Sequence, residues 1–229
     1  MYDIVYILKQ FAAPDELRYS LRSICENMSF NNVWFYCGKP IGIKPDIYVS
    51  KPQNGATKWE RARSSLIEIC KNDEITPSFW LFNDDFYILK PFDRLEPYHV
   101  GSLSDHIKRV ESRHNNKISA YTRRLRECSA LLTSAGLTTI DYALHVPMLV
   151  EREKMLEALE RFPSCPMFRS LYGNYANIGG TQRKDVKIST PTGIPDENLD
   201  LLSSSDTAFH GELGRFLEKR FPNRCRYEV

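Results

Sequence analysis

Phe79-Trp80-Leu81-Phe82-Asn83-Asp84-Asp85-Phe86-Tyr87-Ile88-Leu89-Lys90 is the stretch on which the reading of the fold turns. Four bulky apolar residues, a polar triplet and four more apolar residues predict a buried strand, a sharp edge and the strand's continuation. An ionised group buried without a partner is costly, so adjacent carboxylates at such an edge need something to bind. They either cap a turn or hold a divalent cation. One or two Asp oxygens completed by substrate phosphates make the usual Mg2+ or Mn2+ site of phosphate-handling enzymes.

Upstream, Tyr2-Asp3-Ile4-Val5-Tyr6-Ile7-Leu8 reads as a central strand covered on both faces. Pro14-Asp15-Glu16 opens a helix whose buried stripe is Leu17, Leu21, Ile24 and Met28. Arg18 and Arg22 lie one turn apart on another face, where they are either solvated or able to grip a diphosphate. Asn32–Cys37 and Asp46–Val49 follow as strands. Thr57 is an expected N-cap of a helix with Ala62, Leu66, Ile69 and Cys70 inside, and Lys58, Arg61 and Arg63 in its first two turns. The aspartate strand comes after this helix, which predicts that it runs parallel to the first strand and points Asp84 and Asp85 beyond its carboxyl end. That is where open α/β sheets bind ligands.

Downstream, residues 104 to 132 read as largely helical, with Ile118, Tyr121, Leu125, Cys128 and Leu132 on one stripe. The opposite face carries Lys108, Arg109, Arg113, Lys117, Arg123, Arg124 and Arg126, either a solvated face or a contact for an anionic acceptor such as nucleic acid. His145 stands in an apolar run before a helix with Met155, Leu159 and Phe162 on one side. Residues 169–175 read as a loop, residues 177–204 as a flexible tract able to order over a ligand, and Glu212 to Lys219 as a last helix.

The 229 residues suffice for one domain, 1–229, with a helical insertion at about 103–136. A net charge of +2 argues against generic nucleic-acid binding. The six cysteines show no CxxC spacing, which points to reduced thiols, and no apolar run reaches membrane-spanning length. A cytoplasmic chain without a membrane span is expected.

Several ordered blocks together resemble one family. They are Glu16-Leu17-Arg18-Tyr19-Ser20-Leu21-Arg22-Ser23-Ile24, Phe82-Asn83-Asp84-Asp85-Phe86, His145-Val146-Pro147, Phe162-Pro163 with Phe168-Arg169-Ser170, and Phe216-Leu217-Glu218 with Phe221-Pro222 and Tyr227-Glu228. This set is similar to the Stealth proteins, sugar-phosphate transferases of cell-surface polysaccharide synthesis. The resemblance implies a GT-A-like α/β fold, a nucleotide-sugar donor, and Mn2+ or Mg2+ near Asp84 and Asp85. It also implies donor contacts from Arg18, Arg22, Lys58, Asn83 and Asp84, and a reaction centre holding His145, Arg169 and Asp85. The family's Trp-Val-Asp/Asn-Gly motif is replaced here by Lys9-Gln10-Phe11, so an acid of the family's metal region is missing. A compact relative that transfers a sugar to a glycan or other hydroxyl acceptor is therefore expected. Sugar-1-phosphate transfer, a non-catalytic sugar-nucleotide or glycan-binding module, and a nucleic-acid acceptor stay open as alternatives.

Overall fold

A computed structural model describes residues 1–9, 14–92, 96–113, 118–196 and 198–229. Gln10 and Phe11, part of the departure from the family motif, lie outside them, as does Lys117. The chain is mixed α/β, built on a mixed five-stranded sheet flanked by helices.

Five strands make the main sheet: β1 (Asp3–Leu8), β2 (Val33–Cys37), β3 (Ile47–Val49), β4 (Ser78–Phe82) and β7 (Met148–Glu151), in the order β3-β2-β1-β4-β7. The first four are parallel, β4 to β1 as expected, and β7 runs antiparallel to β4 with Met148 opposite Leu81. Strand alternation splits the side chains of β1: Val5 joins one apolar cluster, while Ile4, Tyr6 and Leu8 join the other. Helices α2 (Lys58–Lys71), α4 (Ala120–Ser134), α5 (Arg152–Arg161) and α6 (Phe168–Tyr175) cover the Val5 face. Helix α1 (Pro14–Asn27) covers the other through Leu17, Leu21 and Ile24, all fully buried. Both faces are thus shielded from water, as a largely parallel sheet requires.

The apolar run that continues past the aspartates leaves the main sheet. Phe86–Ile88 (β5) pairs instead with β10 (Leu201–Ser204), which pairs with β9 (Lys187–Ile188), in a second sheet. Asn83, Asp84 and Asp85 form the turn between the two sheets, closed by Phe86 N–H donating to Asn83 O at 3.3 Å. The free edge of β5 is satisfied by side chains of α1. Ile88 N–H donates to Ser23 Oγ at 3.0 Å, Ser20 Oγ donates to Phe86 O at 2.6 Å, and Asn27 Nδ2 donates to Ile88 O at 2.9 Å. Ser20, Ser23 and Asn27 share one helical face, which explains polar residues on a buried side of α1.

Two sequence expectations are corrected. Residues 169–175 are helical, and Gly173 lets α6 pack closely on the Tyr142 ring; a Cβ at Gly173 would lie 2.4 Å from it. The tract 177–204 forms β8 (Thr181–Gln182), β9 and β10, and β10 is buried along its whole length. The helical region after Leu103 is two helices, α3 (Leu103–Arg113) and α4, and the last helix, α8, spans Glu212–Arg220 after the short α7 (Asp206–Phe209). The short strand β6 (Tyr98–His99) pairs with β8. No helix among the described residues is long and apolar enough to cross a membrane.

Candidate active site

Three features of the chain converge on the carboxyl ends of the parallel strands. The segments leaving β1 (Lys9) and β3 (Ser50 to Gln53), together with the aspartate turn after β4, line a cavity of about 1090 Å³. The first two turns of α2 bring Lys58, Trp59 and Arg61, and the first turn of α6 brings Arg169. Because β7 is antiparallel to β4, the residues just before it arrive at the same edge, and these include His145. Helix α2 is held there by a capping box: Thr57 Oγ1 accepts from Glu60 N–H at 3.2 Å and Glu60 Oε2 from Thr57 N–H at 2.8 Å. Ala62, expected in the core, faces the cavity instead.

A smaller cavity of about 460 Å³ shares the aspartate turn, Lys9, Lys58 and Lys187, and adds Glu16, Ser204 and Asp206. Negative charge is crowded at this junction. Burial, and then the charge of Asp85, raise Asp84 above its ordinary carboxylate value. Burial is also the main cause that pushes Glu16 up to about 7; its hydrogen bond from Ser204 Oγ opposes the rise, and the charges of Asp84, Asp85 and Asp206 add to it. Asp85 is better compensated: its Oδ2 accepts from Lys187 Nζ at 2.9 Å and from Ser203 Oγ at 3.2 Å. Its Oδ1 is buried without a partner among the described residues.

His145 is clasped by Asp185, which accepts from the ring Nδ1 at 2.7 Å and from the backbone N–H at 3.1 Å. Burial works to raise Asp185, but the hydrogen bond and charge of His145 hold it below the ordinary range. The loop before β7 is set by Asp141, fully buried, which accepts from Ser170 Oγ at 2.9 Å and Ala143 N–H at 2.9 Å and pairs with His106. Arg169 donates to Tyr142 O and Val146 O, and burial pulls it down to about 10.

Of the residues singled out from sequence, Lys58, Asn83, Asp84, Asp85, His145 and Arg169 come together at this edge. Arg18 and Arg22 do not line it. Arg22 is occupied elsewhere, donating to both carboxylate oxygens of Glu228 at 2.7 Å and to Phe221 O at 2.9 Å. It thereby joins the first of the blocks quoted above to the last. The basic face of α3 and α4 is largely engaged locally: Arg126 pairs with Glu111, Arg109 donates to Val100 O, and Arg124 stacks on Trp59 at 4.3 Å. Sequence reading missed Asp185, Lys187 and Glu16. The first two lie in the tract that reads as flexible; the third reads as a helix-opening acid at the head of the first block similar to the Stealth proteins, with no site role attached. Against known proteins, no family model matches this chain, and no curated protein matches it.

Proposed function

We propose that the chain is a GT-A-like glycosyltransferase that binds a nucleotide sugar at the carboxyl edge of its main sheet and transfers the sugar to an acceptor hydroxyl. The observation that carries this is the aspartate turn opening into a large cavity ringed by Lys9, Lys58, Arg61 and Arg169, with Lys187 paired to Asp85 and Lys51 to Glu68. So much positive charge around two aspartates suits a ligand with several negative charges, such as a diphosphate. The cavity, about 1090 Å³, is slightly larger than the usual small-molecule site of about 300–1,000 Å³. Tyr48 and Trp59, also in its lining, suit a nucleobase. The ordered sequence blocks similar to Stealth proteins support the same class.

Asp84 and Asp85 would hold Mn2+ or Mg2+. The fit rests on the buried, unpartnered Oδ1 of Asp85 and on its neighbour Asp84, which burial and then the charge of Asp85 raise above the ordinary carboxylate value. Among the described residues no three His, Cys, Asp or Glu side chains gather to hold a metal ion by themselves, so substrate phosphate would complete the shell. When bound, the ion supplies neutralisation of the leaving diphosphate.

The chain's own residues do the rest. Lys58, Arg61 and Lys187 bind the diphosphate oxygens, and Arg169, fixed by two backbone carbonyls, keeps its charge close to the reaction centre. His145, with Nδ1 committed to Asp185, takes the acceptor's hydroxyl proton on Nε2. The acceptor oxygen bonds to the anomeric carbon as the bond to the diphosphate breaks, and the electron pair stays on the leaving phosphate oxygen.

Product identity tests the reading. Incubation with nucleotide sugars, Mn2+ or Mg2+ and acceptor extracts is expected to release a nucleoside diphosphate. Release is expected to vanish in chelator and in Asp84→Ala/Asp85→Ala. A nucleoside monophosphate would replace glycosyl transfer by sugar-1-phosphate transfer, and no product from any donor would overturn transfer altogether.

A further inference from the structure

Asp185-Val186-Lys187 leads into β9, and its side chains alternate as an extended chain demands. Val186 is buried, 7 % exposed, in the apolar cluster beneath the aspartate strand. Its two neighbours point the other way, to opposite ends of one site: Asp185 to His145 and Lys187 to Asp85. β9 is itself fixed, pairing with β10 through Ser203 opposite Lys187, and Ser203 N–H donates to Val186 O at 3.4 Å. Three residues therefore set the distance between the candidate base and the aspartate turn.

We propose that Asp185 is a positioning residue for His145: it fixes the imidazole as the Nδ1–H tautomer and leaves the Nε2 lone pair directed at the acceptor. The inference rests on the transfer reading above. Its geometry is two-point, because one carboxylate oxygen takes the ring and the other takes the backbone N–H of the same residue. A single contact would leave the ring free to turn about it. Two contacts fix both the loop and the ring. Asp185 held below its ordinary range stays an acceptor, so the proton between them belongs to Nδ1. The bonds are only partly shielded, with both side chains about one third exposed. The Arg169 guanidinium sits near enough for its charge to be felt by Asp185.

The test combines a spectrum with kinetics on the full chain. Long-range 15N–1H correlation of the His145 ring is expected to show Nδ1 protonated and Nε2 unprotonated in the wild type. In Asp185→Asn, whose amide can present either an acceptor or a donor, that preference is expected to be lost. With a nucleotide-sugar donor, kcat for Asp185→Asn is expected to fall about 10²-fold, the lower end of what a general base contributes, while KM for the donor stays within about twofold. Asp185→Glu, which keeps the carboxylate, is expected to recover part of kcat and the tautomer. An Nε2–H tautomer in the wild type, or an Asp185→Asn enzyme with wild-type kcat, would overturn the proposal and leave the transfer reading standing. A wild-type chain with the Nδ1–H tautomer that turns over no donor would instead overturn the transfer reading, and this role with it.

Discussion

Arg22 and Arg18 stand one turn apart on α1, and the spacing that suggests a phosphate grip is equally the spacing of a structural pin. The C-terminal segment decides between them: Glu228, whose side chain is 2 % exposed, takes both forks of Arg22. Removing one partner of such a pair strands the other, so Arg22→Ala is expected to cost about 3 kcal/mol, read as a shifted urea midpoint. Nucleotide-sugar affinity is expected to be unchanged. Burial opposes ionisation of Glu228, but the Arg22 hydrogen bond holds it below its ordinary value of 4.5. Its stabilising effect is therefore present above pH 4.5 and is lost as pH falls through the lower folded value. Glu16 has the opposite sign. Its folded value of about 7 lies above the ordinary 4.5, so the folded chain binds the extra proton, and stability falls as pH rises across that window. Glu16→Gln is expected to flatten this fall in urea titrations between pH 4.5 and 7. An unchanged slope would show that Glu16 is not its source.

At the scale of elements, strands of the parallel sheet were legible because burial on both faces demands unbroken apolar runs, as in Ile4–Leu8 and Phe79–Phe82. The Thr57 cap was legible because its chemistry is local. What escaped is non-local. Ser20, Ser23 and Asn27 look like ordinary polar residues of a helix until β5 is laid beside them, and the segment entering β9 holds Asp185 and Lys187, whose partners His145 and Asp85 lie 40 and 102 positions away. Short strands with Gly, Pro and Thr around them carry little periodic signal, so the tract holding Asp185 and Lys187 reads as loop. The α1–β5 contact is testable on its own. Ser23→Ala leaves the buried Ile88 N–H without its acceptor and is expected to destabilise the chain by about 2 kcal/mol, measured by denaturant unfolding. A cost near zero would mean that water replaces the hydroxyl.

At the scale of the whole molecule, the site is a consequence of topology. Parallel strands deliver their carboxyl ends to one edge, an antiparallel β7 returns the His145 loop to that edge, and the break after β4 sends the chain into a second sheet. That second sheet then supplies Lys187, Ser203 and Ser204 to the same place. Sequence order hides this, since Asp85 and Ser203 are far apart along the chain. The most direct measurement of the central claim is calorimetric binding of nucleotide sugars and nucleoside diphosphates to the wild type and to Asp84→Asn, with and without Mn2+. The account predicts saturable binding that requires the divalent ion and weakens at least tenfold, about 1.4 kcal/mol, in Asp84→Asn. Absence of binding by any nucleotide, or binding indifferent both to Mn2+ and to Asp84, would contradict it.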